Sequence, residues 1–194
     1  MKNQIARIIF YDLETTGVDP KNDEIIEIGA KDNLGNVFDK LINPNREVSQ
    51  KITELTGISN EKLKYRNNME RSYEKINEWF DFEKKNKNVE TYLIAHNGDN
   101  FDYKFLSKHF KIKCKSIDTL TLFRKLLPYR HSHSIKSLCE LYEIDCSKHH
   151  RALEDVIILE KLFNKAVKLY CVVNDVNDIN DVNIDEIYNY TYNT

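Results

Sequence analysis

The sequence predicts an α/β domain: a mixed five-stranded sheet, its first three strands antiparallel, with helices on both faces. Three observations carry that prediction. β-Branched and aromatic runs joined by short turns crowd the first 42 residues, helical periodicity takes over near residue 50, and an apolar strand-like run returns at 91–95 between helical stretches.

Residues 7–13, Arg-Ile-Ile-Phe-Tyr-Asp-Leu, form the first expected strand, closed by the turn-forming Thr15-Thr16-Gly17. Ile25 to Lys31 is the second, after Pro20-Lys-Asn-Asp, and Val37 to Ile42 the third, after the Asn33-Leu-Gly-Asn turn. Links this short require antiparallel neighbours. A short helix is expected over residues 50–56, stopped by Gly57, and a longer one over 72–85, where Tyr73, Ile76, Trp79, Phe80 and Glu83 fall at helical spacing. Thr91 to Ala95 reads as a buried fourth strand and residues 101–110 as the helix after it. Ser116 to Asp118 is a short fifth strand feeding a helix that ends near Pro128. Residues 134–142 and 151–171 supply two more helices, the last with a continuous stripe of Ala152, Val156, Leu159, Phe163, Ala166 and Tyr170.

Residues 1–173 read as one domain and residues 174–194 as an appendage. In the latter, Val173-Asn-Asp, Val176-Asn-Asp, Ile179-Asn-Asp and Val182-Asn-Ile-Asp make a near-triplet, Asn/Asp-rich repeat of low complexity. That period fits neither helix nor strand, so a solvated, weakly structured acidic tail is expected.

With 194 residues, 41% hydrophobic and 31% charged, the chain is neither a fibrous repeat nor mainly disordered. No apolar run approaches the ~20 residues of a membrane span, and the first residues lack the apolar stretch of a signal peptide. A soluble, intracellular protein with no membrane partner is expected, cytoplasmic and nuclear locations being equally open. The cysteines, Cys114, Cys139, Cys146 and Cys171, are too irregularly spaced for a disulfide framework and read as reduced thiols. Asp175, Asp178, Asp181, Asp185 and Glu186, with no Lys or Arg after Lys168, give the tail a net charge of −5 within a total of −2, so residues 1–173 carry +3. A mildly basic body is consistent with a phosphate-rich partner.

Asp12 and Glu14 stand two residues apart at the end of the first strand, so period-2 geometry puts both on one face. Two carboxylates crowded together repel unless a cation lies between them, and oxygen-only ligands suit Mg²⁺ or Mn²⁺ rather than Zn²⁺. Alone, such a pair is equally readable as two solvated acids at a strand end. Two further acids weigh against that. Asp102 follows the fourth strand at the start of a helix, and Asp155 lies in the first turn of the last long helix at the edge of its apolar stripe, where an acid needs a partner. His150 stands five residues before Asp155.

Phe10-Tyr-Asp12-Leu-Glu14-Thr-Thr-Gly17, His96-Asn97 with Phe101-Asp102, and His150-Arg-Ala-Leu-Glu-Asp155 resemble, in order and spacing, the three motifs of the DEDDh family of 3′→5′ exonucleases, the DnaQ-like superfamily of the proofreading epsilon subunit. The resemblance runs from about residue 7 to residue 165. His150, with Arg151 rather than Tyr four before the Asp, resembles the histidine branch of the superfamily. One departure is a longer loop: six residues separate His96 from Asp102 where the epsilon-type pattern has five, a form more similar to the three-prime repair exonucleases, which tilts the substrate toward DNA.

The resemblance implies a ribonuclease H-like fold and a metal-dependent 3′→5′ exonuclease that acts on single-stranded DNA or RNA 3′ ends and releases nucleoside 5′-monophosphates. It implies that Asp12, Glu14, Asp102 and Asp155 hold two Mg²⁺ (or Mn²⁺), with Asp12 shared, and that His150 is the general base. Glu14 and the backbone of Leu13, Thr15 and Thr16 would hold the terminal 3′-OH, with Asn97 and Phe101 also on the substrate side. Two cations ~3.5–4 Å apart suit the chemistry, because in-line attack on a phosphodiester builds charge on both the attacking and leaving oxygens.

Competing readings are a nucleic-acid-binding scaffold without catalysis, disfavoured because all five positions are intact, and a proofreading subunit that acts with a polymerase. His131, His133, Cys139, Cys146, His149 and His150 crowd into twenty residues, yet none shows zinc-site spacing. His96 reads either as catalytic or as a loop histidine satisfied by backbone. Lys104, Lys108, Lys111, Lys113, Lys115, Arg124, Lys125 and Arg130 form either a solvated face or a single-strand path, with Tyr103, Phe105 or Tyr129 as stacking surfaces. Trp79 reads as core.

Overall fold

A computed structural model describes residues 5–83, 88–147 and 151–193. Its sheet is organised around β1 (Ile5–Thr15), the central strand of the order β3-β2-β1-β4-β5. β2 (Ile25–Asp32) and β3 (Val37–Leu41) follow as an antiparallel meander, while β4 (Val89–Ala95) runs parallel to β1 and β5 (Lys115–Asp118) parallel to β4. The mixed five-stranded α/β sheet is therefore as the sequence predicts.

Alternation along β1 sorts the two faces. Ile9, Tyr11 and Leu13 enter one core with Phe38, Phe80, Phe82, Leu93 and Phe105, whereas Phe10 enters the other with Tyr92, Ile94, Leu159 and Phe163. Asp12 and Glu14 belong to the second series, so the chain places its paired acids on the face that the last long helix covers.

Helices α1 (Gln50–Thr56), α2 (Asn60–Leu63) and α3 (Met69–Phe80) begin at Ser49, Ser59 and Asn68, whose side chains accept from backbone N–H groups of the first turn. Gly57, at φ 69°, ends α1 in the left-handed cap that glycine adopts without strain. α3 starts three residues earlier and stops sooner than the periodicity predicts: Asp81 at φ 50° caps it, and Phe82 turns back into the core beside Phe80. Residues 84 and 85 of the expected helix lie outside the described residues. α4 (Asp102–Ser107), α5 (Thr119–Leu126), α6 (Ile135–Tyr142) and α7 (Ala152–Val173) complete the expected set. The four-residue α2 is too short to leave a periodic signature.

The solvated tail is corrected. Residues 179–181 form a 3₁₀ turn and Ile184–Tyr192 form α8, opened by Asn183. Ile187 and Thr191 are fully buried, and burying an isoleucine is worth about 1.5–3 kcal/mol. The Asn-Asp repeat hides this because it runs to Asp185, over the start of the helix; the docking residues Ile187, Tyr188, Thr191 and Tyr192 then follow at helical spacing. Asp185 meets Lys115 Nζ at 2.5 Å and accepts from the Tyr92 hydroxyl, and Lys125 Nζ donates to the Tyr190 carbonyl at 2.8 Å. Two lysines of the expected single-strand path are thus engaged by α8.

Candidate active site and metal centre

Three features of local structure assemble the acids. β1 carries an irregularity between Glu14 and Thr15, of the kind that re-aims side chains at a strand end. Opposite Asp12 on β2 stands Gly29, where a Cβ would lie 2.4 Å from the Ala152 carbonyl carbon and Leu153 nitrogen. Only a residue without a side chain lets the start of α7 rest on the strand this closely. Asp155, in the first turn of α7, is thereby brought to the acids of β1 and is almost wholly buried.

Carboxylate oxygens of Asp12, Glu14 and Asp155 lie within 4.8 Å of one another. Asp102 is buried at the start of α4 near the Leu13 backbone, and its Oδ1 is buried without a hydrogen-bond partner among the described residues. Burial, then the charges of Asp102, Asp155 and Glu14, push the Asp12 carboxyl well above the usual carboxylate range. Burial, then Asp155 and Glu27, push Glu14 up to about 8, and burial pushes Asp102 up to about 7. Oxygen donors this close, held in a site that disfavours their charge, fit a hard divalent cation. An orphaned carboxylate oxygen on Asp102 fits the same centre.

Glu27, which the sequence reading missed, sits beside this cluster with no exposed surface. It pairs in register with Glu14, accepts from Arg151 Nη2 at 2.6 Å and Nε at 3.1 Å, and receives the Ala152 N–H at 3.0 Å. It therefore clamps the start of α7 to β2. The available signal was an acid inside an otherwise apolar strand, Ile25-Ile26-Glu27-Ile28.

On the expected substrate side, Leu13 is buried. The Thr15 hydroxyl donates to the Gly17 carbonyl, and the Thr16 hydroxyl donates to Asp23 while accepting the Glu24 N–H. Asn97 holds φ 60° and donates its N–H to Asp118 at 2.8 Å, and Phe101 packs on Phe105 at 5.0 Å between ring centroids. The Tyr192 hydroxyl of α8 braces the same loop, donating to Asp99 at 2.8 Å and accepting the Asp118 N–H at 3.0 Å. His96 faces the Thr119 hydroxyl at 2.9 Å, and burial pulls it down to about 4, so it is a neutral loop histidine at physiological pH. His150 lies outside the described residues. Phe105 is fully buried, which removes it from the stacking surfaces, whereas Tyr129 is almost fully exposed. Trp79 is half-buried against Phe38 and Phe80, as a residue at the core margin. Among the described residues no helix is long and apolar enough to cross a membrane.

The chain matches the sequence model of the RNase_T exonuclease family over residues 9–163. It is 35% identical over 196 residues to the DNA polymerase III PolC-type protein of Thermotoga petrophila, a match that covers 96% of this chain but 14% of the polymerase. Among solved structures it resembles Exonuclease X in complex with 5′ overhanging duplex DNA, with a TM-score of 0.69 at 21% identity, covering 96% of this chain and 99% of that one. It also resembles the nuclease domain of 3′hExo, a DEDDh family member bound to rAMP, with a TM-score of 0.71 at 17% identity, covering 87% and 94%. The fold, the acidic cluster and the match along most of its length agree: this chain belongs to the RNase_T exonuclease family.

Proposed function

We propose that this exonuclease works in the 3′→5′ direction on single-stranded ends, DNA in preference to RNA, and releases nucleoside 5′-monophosphates. The observation that carries the reading is the meeting of Asp12, Glu14 and Asp155 within 4.8 Å, on a face where burial disfavours the charge of Asp12 and Glu14. Asp12, Glu14 and Asp155, joined by Asp102, would hold two Mg²⁺ (or Mn²⁺), with Asp12 shared. Bound there, the cations would supply Lewis-acid stabilisation of the charge that builds on the attacking and leaving oxygens.

The chain's own residues would do the rest. Glu14 and the backbone of Leu13 to Thr16 would orient the terminal 3′-OH, which restricts cleavage to an end. Asn97 and Phe101, on the loop that delivers Asp102, would border the terminal nucleotide. His150 would take the proton of the attacking water, a role suited by an ordinary imidazole pKa near neutrality.

A second reading, a proofreading module acting with a polymerase, is supported by the PolC-type relatives, of which the chain spans about one seventh of the length. The test of the first is a time course on 5′-labelled single-stranded DNA and RNA of one sequence, with Mg²⁺ or EDTA, beside Asp12→Asn. A ladder shortening from the 3′ end, dependent on metal and on Asp12 and faster on DNA, is expected. Cleavage from the 5′ end, or cleavage surviving EDTA, would sink the reading. Proofreading predicts faster removal of a mismatched than a matched primer terminus when a polymerase is present.

A further inference from the structure

On the sheet face opposite the carboxylates, the edge strand β3, the segment before α3 and α3 itself enclose an open cleft of about 490 Å³. Lys40, Arg66 and Lys75 converge on it, together with Tyr65 and Trp79. Two backbone contacts hold the 64–68 segment against the end of β3: the Asn43 N–H donates to the Asn67 carbonyl at 3.0 Å, and Asn43 bridges Asn68. The placement of Tyr65 and Arg66 is therefore built into the backbone.

Three properties of the cleft point to a ligand. First, its cations lack counter-charges: no carboxylate pairs with Lys40, Arg66 or Lys75 among the described residues. Asp39, the acid on the rim, alternates to the other side of the strand, toward Glu27 and Arg151. Second, the cations oppose one another, since burial and the neighbouring charges of Lys75 and Arg66 hold Lys40 below the usual lysine range. Third, Tyr65 is 85% exposed, and among the described residues its ring carries only the Lys64 ammonium at 5.4 Å. A large aromatic left in water beside these cations buries little apolar surface in the free protein.

We propose that this cleft is a second binding site, separate from the carboxylate cluster, for single-stranded nucleic acid. An unpaired base would stack on Tyr65 while the adjoining phosphates meet Lys40, Arg66 and Lys75. Stacking on an exposed ring beside a cationic track is the general mode for single strands and is tolerant of sequence. A duplex presents no free base face, and an acidic peptide would satisfy the cations but leave the ring unused. Lys40 pairs in register with Ile28, and Ile28 with Leu13, so the cleft lies at the same end of the sheet as Asp12 and Glu14, on the reverse face. A strand anchored there would be held beside the catalytic end without occupying it.

The test is equilibrium binding of a fluorescein-labelled oligothymidylate to the full chain in EDTA, read by anisotropy, so that its outcome does not depend on cleavage or on the catalytic assignment. Tyr65→Ala, which removes an exposed ring and leaves the fold intact by melting, is expected to weaken binding about fivefold or more. Lys40→Ala with Lys75→Ala is expected to flatten the slope of log K against log salt by about 1.4, as loss of two phosphate contacts requires. In the Asp12→Asn background both effects should persist. Unchanged affinity and unchanged salt slope would overturn the proposal. Competition by poly-glutamate equal to that of unlabelled oligonucleotide would overturn it in favour of an acidic peptide.

Discussion

Glu14 and Glu27 face one another across β1 and β2, paired in register, and their surroundings are opposite. Glu27 has no exposed surface, yet three hydrogen bonds from Arg151 and one from the Ala152 N–H compensate it fully. Glu14 keeps some contact with solvent and has Asp12, Asp102, Asp155 and Glu27 about it, with Arg151 the weakest of the influences on its charge. The chain therefore supplies its own cation for the carboxylate that fixes the fold, whereas Glu14 of the candidate centre is ringed chiefly by other acids. A buried acid with a resident partner reports on architecture; a cluster raised by its neighbours reports on something that must bind.

The sharpest way to break that contrast is to neutralise one member of each set. Asp12→Asn should lower the exonuclease rate by about 10³-fold or more, because loss of charge stabilisation at such a centre is worth several kcal/mol. The same variant in EDTA should melt no lower than the parent, since a repelled buried charge has gone. Glu27→Gln should do the reverse, destabilising the fold by about 3 kcal/mol while leaving the rate per folded molecule near the parent's. Urea unfolding and a time course on one preparation read both quantities. If Glu27→Gln abolished turnover without loss of stability, the division would collapse.

Gly29→Ala tests the join between the two regions. A methyl group 2.4 Å from the backbone of Ala152 and Leu153 must push α7 outward, at a cost of about 2 kcal/mol, and carry Asp155 away from Asp12. Stability and rate should fall together, and the Mg²⁺ concentration for half-maximal activity should rise.

The pH dependence follows from the raised carboxyls. Asp12, Glu14 and Asp102 bind protons more tightly in the folded than in the unfolded chain, so the folded state carries more protons between about pH 4 and 8. Their contribution to stability is present below pH 4 and is lost as pH rises through the folded values. In EDTA the melting temperature should decline by a few degrees across this window, and Mg²⁺ should restore more at pH 8 than at pH 5. The smallest effect is expected from Tyr192→Phe. It removes the hydroxyl that braces Asp99 and Asp118, should cost about 1 kcal/mol, and should raise KM more than it lowers kcat.

The sheet was legible because each strand is a local pattern: alternation and turn residues mark β1, β2 and β3, and an apolar run marks β4. The acids were legible because period 2 ties Asp12 to Glu14 and a helix start places Asp155 on the stripe that covers them. What stayed hidden depends on contacts distant in sequence. The role of Glu27 exists only with Arg151, 124 positions away, and that of Gly29 only once α7 lies on it. The helix after residue 183 was hidden by composition, since the Asn-Asp repeat runs into its first turn and only the residues after it carry a helical pattern.

The docked α8 changes what a truncation would mean. Trimming the chain at residue 173, as its composition invites, would uncover the apolar seat of Ile187 and leave Lys115 and Lys125 without the partners that now occupy them. It would also unfasten the loop that runs from His96 to Asp102. The shortened protein would be more basic, less stable and looser at the fourth acid. Tighter DNA binding in such a fragment would then report newly released cations, not the removal of an inhibitory tail.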